Sequence, residues 1–194
     1  NAMGMTKALQ EKLILSDEIT KDKTKFCCVR YGNVLGSRGS VIPLWDKRLD
    51  QNKPLPITHP DMTRFMLTLS QAIDLVFYSL KNSKGGEIFV KKAPATKMIN
   101  LARAYAELKT GKKNYPLEYI GIRAGEKIDE VLVSEEEMRR VQEKKDHFVI
   151  KREAEIDNRF VKKSTKFTEY GSGTISPLNI EELKSLMKKL KWVI

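Results

Sequence analysis

Residues Arg30–Ser40 read RYGNVLGSRGS and follow an apolar, strand-like run, KFCCV, at 25–29. Three glycines fall among two arginines, an asparagine and two serines within this stretch. Such a segment is too polar for a core and too rich in glycine for a stable helix. Glycine lets a backbone come close to a ligand, and asparagine offers both a donor and an acceptor. Open α/β sheets bind ligands outside the carboxyl ends of their strands, which is where this loop falls. Composition alone fits a plain strand-to-helix turn equally well.

The chain has 194 residues, enough for a domain with a real core. Its net charge is +11, from 36 Lys+Arg against 25 Asp+Glu. Phosphorylated small molecules, anionic lipid and nucleic acid all suit a basic surface. The lysines are scattered, however, with no basic block and no aromatic–basic interleaving. A solvated surface accounts for them, and a nucleic-acid partner is not expected. Cys27 and Cys28 are the only cysteines. Neighbours on one strand point to opposite faces, which disfavours a disulfide and suits a reducing compartment. No apolar run reaches the length of a membrane span and no signal peptide is visible. The chain is therefore expected to be cytoplasmic, without a membrane partner.

Periodicity outlines the elements. The first helix covers the opening residues, with Met5, Leu9 and Leu13 at four-residue spacing. Ser40 is placed to cap a helix reaching Leu49, with Pro43 in its first turn. Residues 54–65, PLPITHPDMTRF, read as a proline-broken loop with one short strand at Leu55–Thr58. Ser70 opens a helix carrying Ile73, Val76, Phe77 and Leu80 on one face and ending before Gly85 and Gly86. A strand at 87–91, a helix from Met98 to Lys109 stopped by Gly111, and a strand at 117–122 follow. Ser134 and Glu137 form a capping box, and HFVIK at 147–151 is a strand. Residues 153–178 are polar, lack periodicity and are expected to be mobile. Asn179 and Glu182 cap a last helix whose apolar face is Ile180, Leu183, Leu186, Met187 and Leu190. The alternation of helix and strand argues an α/β fold.

Two further loops carry chemistry. Arg64 follows a proline-rich turn, and Arg123, Glu126 and Lys127 come directly after a strand. A guanidinium matches phosphate oxygens with forked donors, so two arginines from separate loops can clamp one diphosphate. Singly, each suits a surface ion pair. His59 and His147 are far apart and have no cysteine or carboxylate at metal spacing, so no metal site is expected. A Walker loop is absent.

Four segments together resemble a known family: NAMGMTKALQEK at 1–12, RYGNVLGSRGSVIPL at 30–44, PLPITHPDMTRF at 54–65 and IGIRAGEKIDEVLVSEEEM at 120–138. In order and spacing, over residues 1–150, the chain resembles the C-terminal part of extended short-chain dehydrogenase/reductases. The similarity is to the inverting, 5-epimerising UDP-N-acetylglucosamine 4,6-dehydratases of capsule and O-antigen polysaccharide synthesis. It implies an α/β, NAD(P)-binding Rossmann-like fold with most of the dinucleotide-binding half absent. It also implies a Rossmann remnant at 1–35, a UDP-sugar-binding domain at 36–150, and a C-terminal extension with a terminal helix at 151–194.

Residue roles follow from the resemblance. The family signature Tyr-x-x-x-Lys has a Met-x-x-x-Lys form, matched here by Met3-Gly4-Met5-Thr6-Lys7. Lys7 is implied as the catalytic lysine that holds the nicotinamide ribose. Met3 stands at the tyrosine position and cannot transfer a proton. Tyr31 and Gly32 are implied beside the cofactor, and Asn33 as a donor to the sugar nucleotide. Ser40 and Val41 are implied in the nucleotide pocket wall, at a helix start that also suits a phosphate. Ile57 and Thr58 are implied beside the uridine, Arg64 and Arg123 at the diphosphate, and Glu126 at a ribose hydroxyl.

The implied reaction is a lyase reaction that works through redox. NAD(P)+ takes a hydride from C4 of the sugar, water leaves across C5 and C6, and the hydride returns to C6. A retaining dehydratase and a UDP-sugar 4-epimerase are alternatives within the superfamily. A basic nucleic-acid-binding module is the alternative of another class.

The sequence departs from the family in lacking the Gly-x-x-Gly-x-x-Gly turn, the acidic residue that reads the adenosine ribose, and the segment with the catalytic Ser/Thr. It is therefore expected to be a fragment that alone neither turns over nor binds NAD(P) tightly. Most UDP-sugar contacts are retained. The apolar face of the first helix needs another partner, for which a second copy of the chain is expected.

Overall fold

A computed structural model describes residues 2–16, 24–37, 39–152 and 167–189. Along the chain run α1 (Ala2–Ile14), β1 (Cys28–Arg30), β2 (Asn33–Val34), α2 (Val41–Asp50), β3 (Leu55–Ile57) and β4 (Thr63–Leu67). Next come α3 (Leu69–Asn82), β5 (Ile88–Lys91), β6 (Ala95–Lys97), α4 (Met98–Thr110), β7 (Leu117–Tyr119) and β8 (Val131–Val133). The last are α5 (Glu135–Met138), β9 (Val141–Glu143), β10 (His147–Ile150), β11 (Tyr170–Gly171) and α6 (Ile180–Lys189). Among the described residues no helix is long and apolar enough to cross a membrane.

The chain forms two compact units. One comprises Asn1–Gly32, Ser70–Ala93 and Val131–Gly171; the other comprises Asn33–Leu69, Pro94–Glu130 and Ser172–Ile194. This differs from the sequential division at 35 and 150 expected from sequence. Strand pairing is the cause, because each unit draws its sheets from separate stretches of chain.

The first unit holds a four-stranded sheet in the order β1-β5-β10-β9. β1 runs parallel to β5, with Cys28 opposite Ile88, and β10 runs antiparallel to β5, with Ile150 opposite Ile88. Side chains alternate between faces. Ile88, Val90, Phe148 and Ile150 pack with Val133 on one side, and Phe89 and Val149 with Leu75 on the other. The turn into β5 is made by Gly85 and Gly86, at φ +106° and +83°. The Glu87 carboxylate accepts from Ser83 Oγ at 2.7 Å and from the Gly85 N–H at 2.8 Å, closing that turn. Cys27 and Cys28 are free thiols, and burial together with the Glu11 charge pushes the Cys28 thiol up to about 11.

The helices of this unit leave apolar faces uncovered. α1 buries none of its residues, and Met5, Leu9 and Leu13 are exposed. α3 buries Ala72, Leu75 and Ser79, while the apolar face of Ile73, Val76, Phe77 and Leu80 is exposed. The sheet covers only the stripe centred on Leu75. The broader apolar face has no partner among the described residues.

Arg30 ties this unit together. Its Nε donates to Glu11 Oε2 at 2.7 Å, its Nη2 to Glu137 Oε1 at 2.7 Å, and its Nη1 to Leu132 O at 2.9 Å. α1, β1 and α5 thus meet on one guanidinium. Glu137 also completes the capping box of α5, as expected, through Ser134. Burial works to raise the Glu137 pKa, but the hydrogen bonds from Arg30 and the Ser134 N–H outweigh it. Its carboxyl is held below the ordinary value of 4.5.

The second unit packs β2-β4-β6 and β3-β7 sheets around Trp45, Leu55, Leu101 and Tyr105. α4 ends on Gly111, at φ +74°, where only glycine is unstrained. α6 begins at the reciprocal Asn179–Glu182 cap, as expected, and buries Leu183 and Met187. Of the segment expected to be mobile, residues 153–166 lie outside the described residues. Beyond them Ser172 is fully buried, and its hydroxyl lies 2.6 Å from Thr63 Oγ1. Thr63 Oγ1 also donates to Asp129 Oδ1 at 2.7 Å. That clamp orders the chain leading to α6.

A carboxylate with a lowered folded pKa stabilises the fold above its unfolded pKa, and this contribution fades as pH falls through the folded value. Replacing Arg30 by Met leaves Glu11 and Glu137 without their counter-charge. It should cost roughly 3 kcal/mol at neutral pH. The loss of stability on acidification should also become shallower than in the unsubstituted chain. Denaturant melts at neutral and acid pH measure both effects.

Candidate functional site

β4 lays out the site. Side chains alternate along a strand, so Met62, Arg64 and Met66 line a cavity of about 530 Å³ while Thr63, Phe65 and Leu67 do not. β2 pairs in parallel with β4, Asn33 opposite Met66, which puts Asn33 in the same wall. Cavities that hold small ligands span roughly 300–1,000 Å³. The start of α2 contributes Gly39, Ser40 and Val41; β3 and its exit contribute Ile57 and Thr58; the turn after β7 contributes Arg123 and Glu126. Fully buried Trp45 donates from Nε1 to Pro56 O at 3.2 Å and holds α2 against β3. The Thr58 hydroxyl donates to Met62 Sδ at 3.1 Å.

All eight residues expected at the substrate therefore share one cavity in the second unit: Asn33, Ser40, Val41, Ile57, Thr58, Arg64, Arg123 and Glu126. Met3, Lys7, Tyr31 and Gly32 belong to the first unit. Met3 and Lys7 are exposed on α1, four residues apart and hence on one face. Tyr31 is exposed and Gly32 half-buried in the loop after β1.

The two arginines are in different states. Arg64 Nη1 donates to Thr63 O at 2.7 Å and Ile128 O at 2.8 Å, and Nη2 donates to Lys127 O at 2.8 Å. Glu126 and Glu130 lie 3.9 and 3.7 Å from it. Most of its donors are engaged in stapling the 126–130 turn to β4. Arg123 is exposed, and its guanidinium makes no ion pair among the described residues. Its backbone N–H donates to Glu126 Oε2 at 3.1 Å, and the Glu126 N–H returns to Arg123 O at 3.0 Å. Gly125, at φ +76°, permits this turn. Of the expected pair, Arg123 is the one that lines the cavity with no ion pair on its guanidinium among the described residues.

Ser40 stands at the N-cap of α2, but its hydroxyl makes no cap bond and Oγ is buried without a partner. Capping oxygens accept from the second or third helical N–H. Here the third residue is Pro43, which has none.

Glu130 escaped the sequence reading. Its carboxylate accepts from the Phe65 N–H at 3.5 Å, and the Asn33 carboxamide, with its nitrogen turned inward, donates to both oxygens at 3.0 Å. Burial pushes the Glu130 carboxyl up, and the Arg64 charge opposes this. The apolar wall, from Met62, Met66, Met98 and Ile120, was also missed, although the alternation 62-64-66 is a strand signal.

Comparison with known structures defines the class. The chain superposes on the X-ray structure of Pen from Bacillus thuringiensis with a TM-score of 0.85 and 35% identity, covering 100% of this chain and 59% of that one. The dTDP-glucose 4,6-dehydratase of Bacillus anthracis str. Ames in complex with NAD has a TM-score of 0.54 and 18% identity, over 61% of this chain and 39% of that one, and shares the fold alone. The fold is the C-terminal portion of an extended short-chain dehydrogenase/reductase. Within that class the chain belongs to the polysaccharide biosynthesis protein family, whose sequence pattern matches residues 1–152. It is 42% identical over 201 residues to the UDP-glucose 4-epimerase of Rickettsia bellii (strain OSU 85-389), covering 100% of this chain and 58% of that protein. The UDP-glucose 4-epimerase of Rickettsia felis (strain ATCC VR-1525 / URRWXCal2) matches equally, at 42% identity over 201 residues and the same coverage. The chain thus spans 58% of the length of these curated relatives.

The two arginines can be separated by stability alone. Arg64→Lys loses carbonyl contacts and should destabilise the free chain by roughly 2 kcal/mol, or about 5 °C in Tm. Arg123→Lys should leave Tm within about 1 °C. Thermal melts without ligand check this; equal shifts would contradict the assignment.

Proposed function

We propose that the cavity of the second unit takes a UDP-sugar, and that the whole enzyme is a cytoplasmic, NAD(P)-dependent UDP-N-acetylglucosamine 4,6-dehydratase that inverts C5 in capsule or O-antigen synthesis. The observation that supports this reading is the convergence of the eight substrate residues on one ligand-sized cavity. Family membership supports it at the level of polysaccharide biosynthesis. Within the cavity, Arg123 offers a fork to phosphate oxygens, and Arg64 adds positive charge while holding its turn in place. Glu126 accepts from a ribose hydroxyl. Ile57 and Thr58 provide a partly apolar wall for the base. The 36–150 segment carries seven of the eight, all but Asn33, and is assigned as the sugar-nucleotide part.

Lys7, exposed on α1, supplies one ammonium for a ribose. Met3 has no exchangeable proton, so proton transfer falls to another group. The sequence has no glycine turn for a dinucleotide pyrophosphate, so the residues present do not by themselves fit NAD(P), and no step is assigned through it. A 4-epimerase is the second reading, favoured by the names of the Rickettsia relatives. NMR of the sugar product from a longer protein containing this chain separates the two.

Calorimetric titration of this chain with UDP-N-acetylglucosamine should show binding, and Arg123→Ala should weaken it by roughly tenfold. Unchanged affinity in that variant would remove Arg123 from the site. Titration with NADP+ should give no measurable heat, and micromolar binding would overturn the reading that Lys7, Tyr31 and Gly32 do not by themselves hold the cofactor.

A further inference from the structure

Asn33 and Glu130 form a pair that the reading above leaves unused. Asn33 lies in the cavity wall and Glu130 outside the lining; with the carboxamide turned nitrogen-inward, both Glu130 oxygens lie 3.0 Å from that nitrogen. From β4, the Phe65 N–H lies 3.5 Å and Arg64 Nε 3.7 Å from the Glu130 carboxylate. From its own turn come Glu126, 3.9 Å from Arg64, and Asp129, occupied by the Thr63 hydroxyl at 2.7 Å. The segment leading to α6 brings only the neutral Ser172, whose Oγ accepts the Glu130 N–H at 2.9 Å. One guanidinium is therefore shared by two carboxylates, and Lys47 and Arg123 are the other cations lining the cavity.

An ionised carboxylate only accepts, so it draws the nitrogen end of Asn33 and turns the carbonyl oxygen towards the cavity. A protonated Glu130 has an O–H to donate to Asn33 Oδ1. That reverses the carboxamide and presents its two N–H groups to the ligand. Phosphate oxygens only accept, so they are served by the second arrangement. A diphosphate drawn to Arg64 and Arg123 also adds negative charge beside Glu130, which favours the neutral acid.

We propose that Glu130 is a positioning residue that sets which end of the Asn33 carboxamide faces the ligand, and that a diphosphate ester binds with uptake of one proton on Glu130. This rests on the reading of the cavity as a UDP-sugar site. The burial that already pushes this carboxyl up eases the protonation. Affinity then rises as pH falls, by at most about tenfold per pH unit, the one-proton limit.

The test is calorimetry of the full chain with UDP-N-acetylglucosamine, whose diester phosphates carry no titrating proton near neutrality, in buffers of different protonation enthalpy. The unsubstituted chain should take up close to one proton above the Glu130 pKa and bind more weakly as pH rises. Glu130→Gln, whose amide donor imitates the neutral acid at every pH, should bind at least as tightly at neutral pH and take up none. Equal uptake in the two proteins, or binding by the unsubstituted chain without uptake, would overturn the linkage and leave the cavity reading standing. No binding at any pH would overturn both. NMR of the ligand-free chain gives a check that needs no variant. The Asn33 side-chain NH2 resonances should move with the titration of a single carboxyl, and resonances that stay fixed through that range would overturn the pairing.

Discussion

The two-residue repeat of β4 is the constraint on which the second unit depends. Met62, Arg64 and Met66 face the cavity because their neighbours face away from it. Register fixes the arrangement from both sides, with Asn33 opposite Met66 on β2 and Thr96 opposite Arg64 on β6. A slip of one residue would bring Phe65 into the wall in place of Arg64. It would also turn Thr63 away from Asp129 and Ser172, so the same register that builds the site holds the chain leading to α6.

Local signals were legible where they depend on neighbours in sequence. The Ser134–Glu137 and Asn179–Glu182 caps and the Gly111 stop all fall where the sequence puts them. The strand at Leu55–Thr58 was legible and is β3, but β4 was not, because Pro54, Pro56 and Pro60 made the rest of the segment read as a broken loop. On α3, periodicity finds the widest apolar stripe, whereas packing selects the stripe the sheet reaches, at Leu75. Ser40 was assigned a capping bond that its hydroxyl does not make, and Pro43 has no N–H to offer one.

The site shows the same division. Resemblance picked out residues that share a cavity, but it treated Arg64 and Arg123 as equivalent. What distinguishes them is three backbone carbonyls around Arg64, and carbonyls leave no trace in residue identity. Glu130 was invisible for a related reason. Its importance comes from what stands next to it, Asn33 and Arg64, which arrive from distant parts of the chain.

Glu137 carries a narrower substitution tolerance than its motif implies. A capping box accepts glutamine as readily as glutamate at its third position, since either reaches back to the cap N–H. Here the same side chain also answers the charge of Arg30, which lies 107 residues earlier in the chain. A glutamine would still close the helix end and yet leave half of the counter-charge around that guanidinium missing.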